Sequence, residues 1–274
     1  MVKIAVCISG HMRSYKHSKD RFDIFIDYLK SYGNVDVFVA TWDKQNTGNS
    51  WIANKGISRI RIGGKSHEND DTKITQNEIK LHYGAKEVKV YSDDFYSSMY
   101  GPLHFDKITN RSFEIPDHMN PTLHGGAQMH HNKVLHSSKM FFLHWKANQL
   151  KCEEEYINLQ RYDIVFRVRP DYFFQMEQFN FQEVEDDIYY CARYKHPEPE
   201  GRYFDQFWYS TSETGDMVAA VFLSLGSIIE KHGFSDPEKL LGVHCLSKNI
   251  KLHHTKPWGV LYLENIDGSP ANPR

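Results

Sequence analysis

The first part of the chain alternates between short apolar runs and apolar residues at helical spacing. Residues 2–8 form an apolar run typical of a buried strand, and residues 19–31 carry apolar side chains three and four positions apart. A second apolar run follows at residues 35–40. This order of strand, helix and strand predicts a parallel pair joined by a right-handed crossover.

The most informative stretch is YDIVFRVRPDYFF, at residues 162–174. Its β-branched and aromatic residues predict a buried strand, and Pro170 ends the ladder because it has no amide proton. Asp171 should then lie just past the carboxyl end of a core strand, beside Arg167 and Arg169. Ligands bind at that edge of open α/β sheets, where a carboxylate suits a divalent cation and arginines suit phosphate. A strand whose arginines pair with surface carboxylates is the alternative.

The rest of the chain continues the alternation. Thr75 with Glu78 fits a capping box that opens a helix, and Ser235 with Glu238 fits the start of another. Residues 93–126 show no period and are interpreted as an irregular insertion, such as a lid or acceptor-side loop. The predicted strands are 57–62, 87–91, 187–193, 205–210 and 251–255, the predicted helices are 75–83, 128–158, 217–233 and a segment from 235, and the tail after residue 258 is expected to be loop.

The long predicted helix carries four histidines, His130, His131, His136 and His144. No HExxH-like pair is present, so we interpret them as solvated or hydrogen-bonded side chains and not as metal ligands. With 274 residues, the elements together predict a single α/β domain with a mostly parallel central sheet flanked by helices.

Composition narrows the class of protein. A net charge of −2 and a pI near 6.8 give no sign of the basic face that nucleic acids require. Cys7, Cys152, Cys191 and Cys245 are far apart without zinc spacing, which favours a reducing compartment. The apolar stretch at residues 4–8 is too short for a signal peptide or a transmembrane span. A cytoplasmic protein is therefore expected, with peripheral membrane association left open.

The loop after the first strand, SGHMRS, is the natural place for a nucleotide. Gly10 allows the backbone to approach a ligand closely, and Arg13 suits a phosphate. The loop lacks both GxGxxG and GxxxxGK[ST], which disfavours dinucleotide-binding and P-loop proteins. A turn that exposes an arginine is the alternative.

Several segments in their order resemble a known family. They are IAVCISGHMRSY, VDVFVATWD, Lys146-Ala147-Asn148 in the long helix, YDIVFRVRPD, DQFWYS and PEKLL. Together they resemble the small GT-A-like glycosyltransferases of bacterial and viral surface-polysaccharide synthesis. The resemblance spans most of the chain. It implies a GT-A-like, Rossmann-like fold with a nucleotide-binding part at about residues 1–175 and an acceptor-side part at about 176–274.

The same resemblance implies where the nucleotide diphosphate binds. The matching residues of the first loop are Ser9, Gly10, His11 and Arg13. The expected donor is a UDP-, GDP- or dTDP-linked sugar, and the expected acceptor is a saccharide.

A metal site is implied as well. In the family, the aspartate that ends the R-x-R-x-D run, here Asp171, helps to bind Mn²⁺ or Mg²⁺ beneath the pyrophosphate. A late histidine, here His253 or His254, often adds a ligand. Position 169 is Arg where the usual motif has Asp, so the chain offers one firm carboxylate and the requirement for metal stays open.

Two further carboxylates are candidates for the chemistry. Asp205, at the start of a predicted strand, is the candidate base or sugar-hydroxyl acceptor, with capping of local amides as the alternative. Asp43, which ends the second strand, is a candidate contact for the base or ribose, with a turn role as the alternative. A single carboxylate base favours inversion at the anomeric carbon.

Two other functions compete with a transferase. In a carbohydrate-binding module without turnover, Trp42, Trp208 and Tyr209 would form a platform for sugars. A nucleotidyltransferase would need two metals, and the sequence has no clustered acidic pair to hold them.

Overall fold

A computed structural model of the chain describes residues 1–12, 15–16, 18–44, 73–100, 126–174, 184–192, 203–232, 236–255 and 259–261. These residues form an α/β domain around a seven-stranded, mostly parallel mixed sheet with helices on both faces. The predicted fold class is confirmed at that level.

The elements follow in chain order. The strands are β1 (Val2–Ser9), β2 (Gly33–Trp42), β3 (Glu87–Tyr91), β4 (Ile164–Val168), β5 (Tyr172–Phe174), β6 (Ile188–Ala192), β7 (Phe207–Ser210), β8 (Lys251–Thr255) and β9 (Gly259–Leu261). The helices are α1 (Lys19–Lys30), α2 (Gln76–Tyr83), α3 (Asp93–Met99), α4 (Gly126–Asn158), α5 (Ser212–Ala219), α6 (Val221–His232) and α7 (Pro237–Ser247).

The main sheet has the order β3-β2-β1-β4-β7-β6-β8. Strands β1 to β4 run parallel, as the opening pattern predicts, and β7 runs antiparallel to both of its neighbours. The amino end of β7 therefore lies at the edge where β1 to β4 end, which we call the carboxyl edge; the opposite side is the amino edge. Strand β1 leads to β2 on one side and has β4 on the other, so the order reverses between β1 and β4. Ligand crevices open at such reversal points.

Two hydrophobic cores lie on the two faces of the sheet. Helices α1 and α2 cover one face, where Phe25 stacks on Phe174 at 4.0 Å and meets the edge of Phe166 at 5.6 Å. Helices α4 to α7 cover the other face, where Phe142 and Phe222 pack at 5.5 Å. Each buried aromatic side chain of this kind contributes on the order of 1.5–3 kcal/mol. Burial on both faces explains the unbroken apolar runs at residues 4–8 of β1 and 164–166 of β4.

Several predicted boundaries differ from the structure. The first residues of the supposed irregular insertion form α3, whose N-cap Ser92 accepts a hydrogen bond from the amide of Phe95 at 3.1 Å. The remainder of the insertion, residues 101–125, and the strand predicted at 57–62 lie outside the described residues. The helix predicted to end at Gly233 is two helices, α5 and α6. The tail predicted to be loop contains β9, which pairs antiparallel with β5.

Helix caps show one correct and one incorrect prediction. Thr75 caps α2 and accepts from the amide of Glu78 at 3.2 Å, as the capping box predicts. Helix α7 is capped by Asp236, which accepts from the amide of Lys239 at 3.1 Å. The predicted cap Ser235 lies outside the described residues; Asp236 takes the role because Pro237 stands at the first helical position.

No single helix among those described is long and apolar enough to cross a membrane. The pair α5 and α6, bent by 46°, passes that test of length and composition only when the two are taken together. The four cysteines are free thiols.

Candidate functional site

A tight turn follows β4 at the carboxyl edge. The amide of Tyr172 donates to the carbonyl of Arg169 at 3.1 Å, which places Pro170 second in the turn, where its fixed φ fits. The Ser18 hydroxyl, just before α1, donates to the Pro170 carbonyl at 2.9 Å. The turn is therefore held against α1 with Arg169 and Asp171 at the edge of the sheet.

Arg169 and Asp171 form a two-bond ion pair across this turn. Nε and Nη2 of Arg169 donate to Oδ1 and Oδ2 of Asp171 at 2.9 and 2.7 Å. The Asp171 residue is only 7% exposed. Such fork-to-carboxylate pairs combine charge with fixed geometry. Both carboxylate oxygens of Asp171 are therefore engaged by one guanidinium.

Arg167 lies two residues earlier in β4, on the face covered by α4, and is 1% exposed. Its Nε donates to Ser9 Oγ at 3.3 Å, its Nη2 to the Ser9 carbonyl at 3.4 Å, and its Nη1 to the Asp205 carbonyl. All three acceptors are uncharged. Among the described residues, no carboxylate oxygen lies within the 4.0 Å of an ion pair with Arg167. Arg167 thus joins the ends of β1 and β4 to the segment before β7.

The charge of Arg167 is therefore balanced at longer range. Burial lowers its pKa to about 10, and attraction to Asp205 and Asp171 opposes that effect. The group remains protonated at neutral pH. A buried cation without a direct ion pair is energetically costly, and such groups concentrate at functional sites.

Asp205 precedes β7 and lies at the same edge, because β7 runs in reverse. It is 7% exposed, and burial raises its pKa against the attraction of Arg169 and Arg167. A carboxyl group whose pKa is raised towards neutral is better suited to accept a proton than an ordinary aspartate. We call Ser9, Arg167, Arg169, Asp171 and Asp205 the arginine cluster.

The chain after β1 presses against the turn after β4. Gly10 has φ of +137°, and a Cβ there would lie 3.2 Å from Cδ of Pro170. The Thr41 hydroxyl donates to the Gly10 carbonyl at 2.9 Å. Glycine is favoured at this position, because other residues rarely adopt this backbone angle and a Cβ would crowd Pro170.

The other predicted site residues are spread more widely. His11 lies two residues after the end of β1, and its ring centroid is 6.0 Å from that of Trp42. Asp43 directly follows β2; its amide donates to the Tyr91 carbonyl and its carbonyl accepts from the Ile74 amide, each at 2.8 Å. Arg13 lies outside the described residues.

His253 is not brought into this group. It lies in β8, three strands from β4, which is about 14 Å in the plane of the sheet. Its ring contacts Tyr190 at 5.1 Å on the face covered by α1, whereas Arg167 lies on the other face. The proposed pairing of His253 with Asp171 at one metal ion has no support in this arrangement.

The residues at the carboxyl edge do not fit the Mn²⁺ or Mg²⁺ ion that the resemblance implies. Hard divalent cations need several oxygen ligands, and both oxygens of Asp171 already accept from Arg169. Among the described residues, one group of three metal-type donors exists, Cys152, Glu155 and Asp216, and it lies at the amino edge.

That amino-edge group already surrounds an ammonium. Lys151 is fully buried, and its Nζ donates to Asp216 Oδ1 at 2.7 Å, lies 3.0 Å from Glu155 Oε2 and reaches Ser212 Oγ at 2.5 Å. Burial raises the pKa of the Cys152 thiol to about 12, so it is not a thiolate ligand at neutral pH. We call Lys151, Glu155, Ser212 and Asp216 the lysine cluster.

His144 is a residue of this region that the sequence interpretation undervalued. It is 3% exposed on α4, and its ring lies 5.3 Å from Trp208, the β7 partner of Arg167. Burial, with repulsion from Arg167 and His244, lowers its pKa well below the usual value. The signal was present, because Phe141 and Ala147 place it on the buried stripe of the helix.

The aromatic residues suggested as a sugar platform lie inside the molecule. Trp42, Trp208 and Tyr209 are at most 1% exposed. Trp42 and Trp208 pack against α4, and Tyr209 stacks on Phe166 and Tyr190 on the other face of the sheet, so none of the three offers a surface for stacking a sugar.

No family model matches the chain, and comparison with curated proteins gives no significant match. The functional assignment therefore depends on the geometry of the carboxyl edge.

Proposed function

We propose that the chain is a glycosyltransferase of GT-A-like fold that moves a sugar from a nucleoside-diphosphate sugar to a saccharide hydroxyl, in surface-glycan synthesis. One observation carries most of the weight: the arginine cluster lies where β1, β4 and β7 meet, at the reversal of strand order. Open α/β sheets bind nucleotides at this place.

The cluster supplies the charges that this reaction requires. The bond between the anomeric carbon and the diphosphate oxygen breaks, and the electron pair leaves with the diphosphate. Arg169 would stabilise the growing negative charge, because a guanidinium matches phosphate oxygens in both charge and geometry. Arg167 acts as a positioning residue, since it is buried and joins the Ser9 and Asp205 backbones.

Asp205 is the proposed base. The acceptor hydroxyl attacks the anomeric carbon and gives its proton to this carboxylate, so that a glycoside, a nucleoside diphosphate and one proton are the products. The burial of Asp205 supports this role because it raises the proton affinity of the carboxylate. A single base of this kind favours inversion.

The test is donor consumption by purified protein. Radiolabelled UDP-, GDP- and dTDP-sugars are incubated with a panel of saccharide acceptors, and release of the nucleoside diphosphate is followed. We expect one donor to be consumed in a manner that depends on the acceptor. Failure of every donor to bind or react, with and without Mn²⁺, would overturn the proposal.

A further inference from the structure

The carboxyl edge combines two features that point to the same chemistry. Asp171, the only carboxylate offered by the R-x-R-x-D run, is bonded through both oxygens to Arg169. Arg167, two residues before Arg169, is buried with uncharged acceptors only, within the described part of the chain. Positive charge is therefore fixed where the resemblance would place a metal ion.

We infer that this site binds its diphosphate ligand without a divalent cation, and that Arg169 takes the place of the metal. This inference rests on the proposed function. Asp171 is then a positioning residue that orients the guanidinium and is not a metal ligand.

The backbone around Arg169 supports this role. Its amide donates to the Gln206 carbonyl at 3.1 Å, and its carbonyl accepts from Tyr172 at 3.1 Å. Both backbone groups are therefore fixed by neighbouring segments, and the side chain is oriented by Asp171. A guanidinium fixed in advance loses little conformational freedom when it binds a phosphate.

The acidic partners make a cation unfavourable as well. A divalent ion would have to displace Arg169 from Asp171, at the cost of a charge-assisted pair, and would stand close to Arg167 and Arg169. Asp205, the second carboxylate of the cluster, is buried, and its pKa is raised. Under the proposed function this carboxylate accepts a proton, and a metal ion bound to it would lower its proton affinity.

Calorimetric titration of protein dialysed against EDTA tests the inference directly. The probes are UDP, GDP, dTDP and inorganic pyrophosphate, each measured in EDTA and again in Mn²⁺. We expect at least one probe to bind in EDTA, with a Kd that Mn²⁺ changes by less than about threefold, well under the tenfold that 1.4 kcal/mol represents. Binding that appears only with Mn²⁺, or strengthens tenfold or more, overturns the inference.

Three variants separate the role of Arg169 from that of the overall charge. Arg169→Gln should weaken the best probe by about 10- to 100-fold in EDTA, the range of a lost hydrogen bond to a charged group. Arg161→Gln removes the same charge at the amino edge and should leave the Kd unchanged. Arg169→Lys keeps the charge, and it should bind more weakly than the wild type if the fork geometry matters. An unchanged Kd in folded Arg169→Gln would contradict the role.

The outcomes distinguish this inference from the proposed function. Binding of a nucleoside diphosphate only with Mn²⁺ leaves the transferase proposal in place and removes the inference. Binding of pyrophosphate in EDTA without consumption of any sugar nucleotide supports cation-free diphosphate binding and removes the transferase proposal. If no probe binds in either condition, both are overturned.

Discussion

Two buried charge clusters lie at opposite edges of the same sheet, and they are bonded in different ways. In the lysine cluster, the ammonium of Lys151 contacts two carboxylates and a hydroxyl directly. In the arginine cluster, Arg167 contacts a hydroxyl and two backbone carbonyls, and its nearest carboxylates act from further away. The first arrangement satisfies its charges within the chain. The second holds the Arg167 guanidinium without a direct ion pair among the described residues.

The pKa directions show the same contrast. Burial favours the neutral form of Lys151 and Asp216, but their mutual attraction outweighs it, so the pKa of Lys151 is raised and that of Asp216 is lowered. In the arginine cluster burial prevails: the pKa of Arg167 falls and that of Asp205 rises. Direct pairing that outweighs burial is typical of a structural cluster, whereas charged groups whose pKa values burial shifts despite nearby opposite charges are concentrated at functional sites.

The sharpest way to break this comparison is Asp205→Asn. We expect sugar transfer to fall by about 10²- to 10⁴-fold, the usual contribution of a general base. Stability should change in the other direction. Because the folded pKa of Asp205 is raised, the wild type loses stability as the pH rises from the ordinary aspartate value through the folded one. Asn should therefore be more stable at neutral pH and lose that advantage in acid.

Thermal unfolding at several pH values, with parallel transfer assays, measures both effects. Asp27→Asn is the matched control, since Asp27 is exposed and pairs only at the surface with Lys30. A variant that is destabilised at neutral pH, or that remains active, would place Asp205 among the structural residues.

Lys151→Met tests the opposite edge. It should cost about 3 kcal/mol of unfolding free energy, the lower end for a broken buried ion pair, because the buried Glu155 carboxylate loses its ammonium while the partly exposed Asp216 keeps Arg161. Transfer activity per folded molecule should be retained. Urea denaturation measures the loss, and the exposed Lys30→Met should stay within about 0.5 kcal/mol of the wild type. A loss of activity in the folded variant would show that the two edges are coupled.

Gly10→Ala sharpens the comparison at the crevice. A side chain at φ of +137°, in contact with Pro170, should cost about 1–3 kcal/mol and weaken diphosphate binding. Gly84→Ala is the control: its φ is +57°, and an added Cβ meets nothing within 4 Å. That change should cost about 1 kcal/mol and leave binding unchanged. Equal effects of the two variants on binding would argue against a role for the first loop.

Thr75→Ala should give the smallest effect. It removes the hydrogen bond from the Glu78 amide to the cap of α2 and should cost about 1 kcal/mol, with diphosphate binding and transfer unchanged. Chemical denaturation measures it, and a cost near zero would mean that solvent replaces the cap.

The sequence predicted those elements of the fold that depend on a few neighbouring residues. Strands such as β3 and β8 match the predicted residues because their runs are short and bounded by turns, and the cap of α2 is visible in four residues. The reversal of β7 and the pairing of β5 with β9 were not predicted, because strand partners are chosen by long-range packing. The break between α5 and α6 was not predicted either, because apolar residues continue at helical spacing on both sides of it.

The sequence predicted most residues of the candidate site, but it did not predict the hydrogen bonds between them. The end of β4 and the loop after β1 were expected at one edge. Asp205 was predicted only to start a strand, and the unpredicted reversal of β7 brings it close to Ser9 and Arg167 at that edge. The Arg169–Asp171 pair depends on the geometry of one turn, which spacing alone does not specify. The burial of His144 depends on which face of α4 meets the sheet.

The pairing of β5 with β9 has a consequence for synthesis. β5 begins directly after Asp171, yet the strand that flanks it leaves the ribosome long after β4 and β7 have been made. A growing chain can assemble the strands from β1 to β7 of its main sheet while β5, beside the arginine cluster, still lacks its partner β9. Under the proposed function, the ability to bind a sugar nucleotide would then arise late in translation.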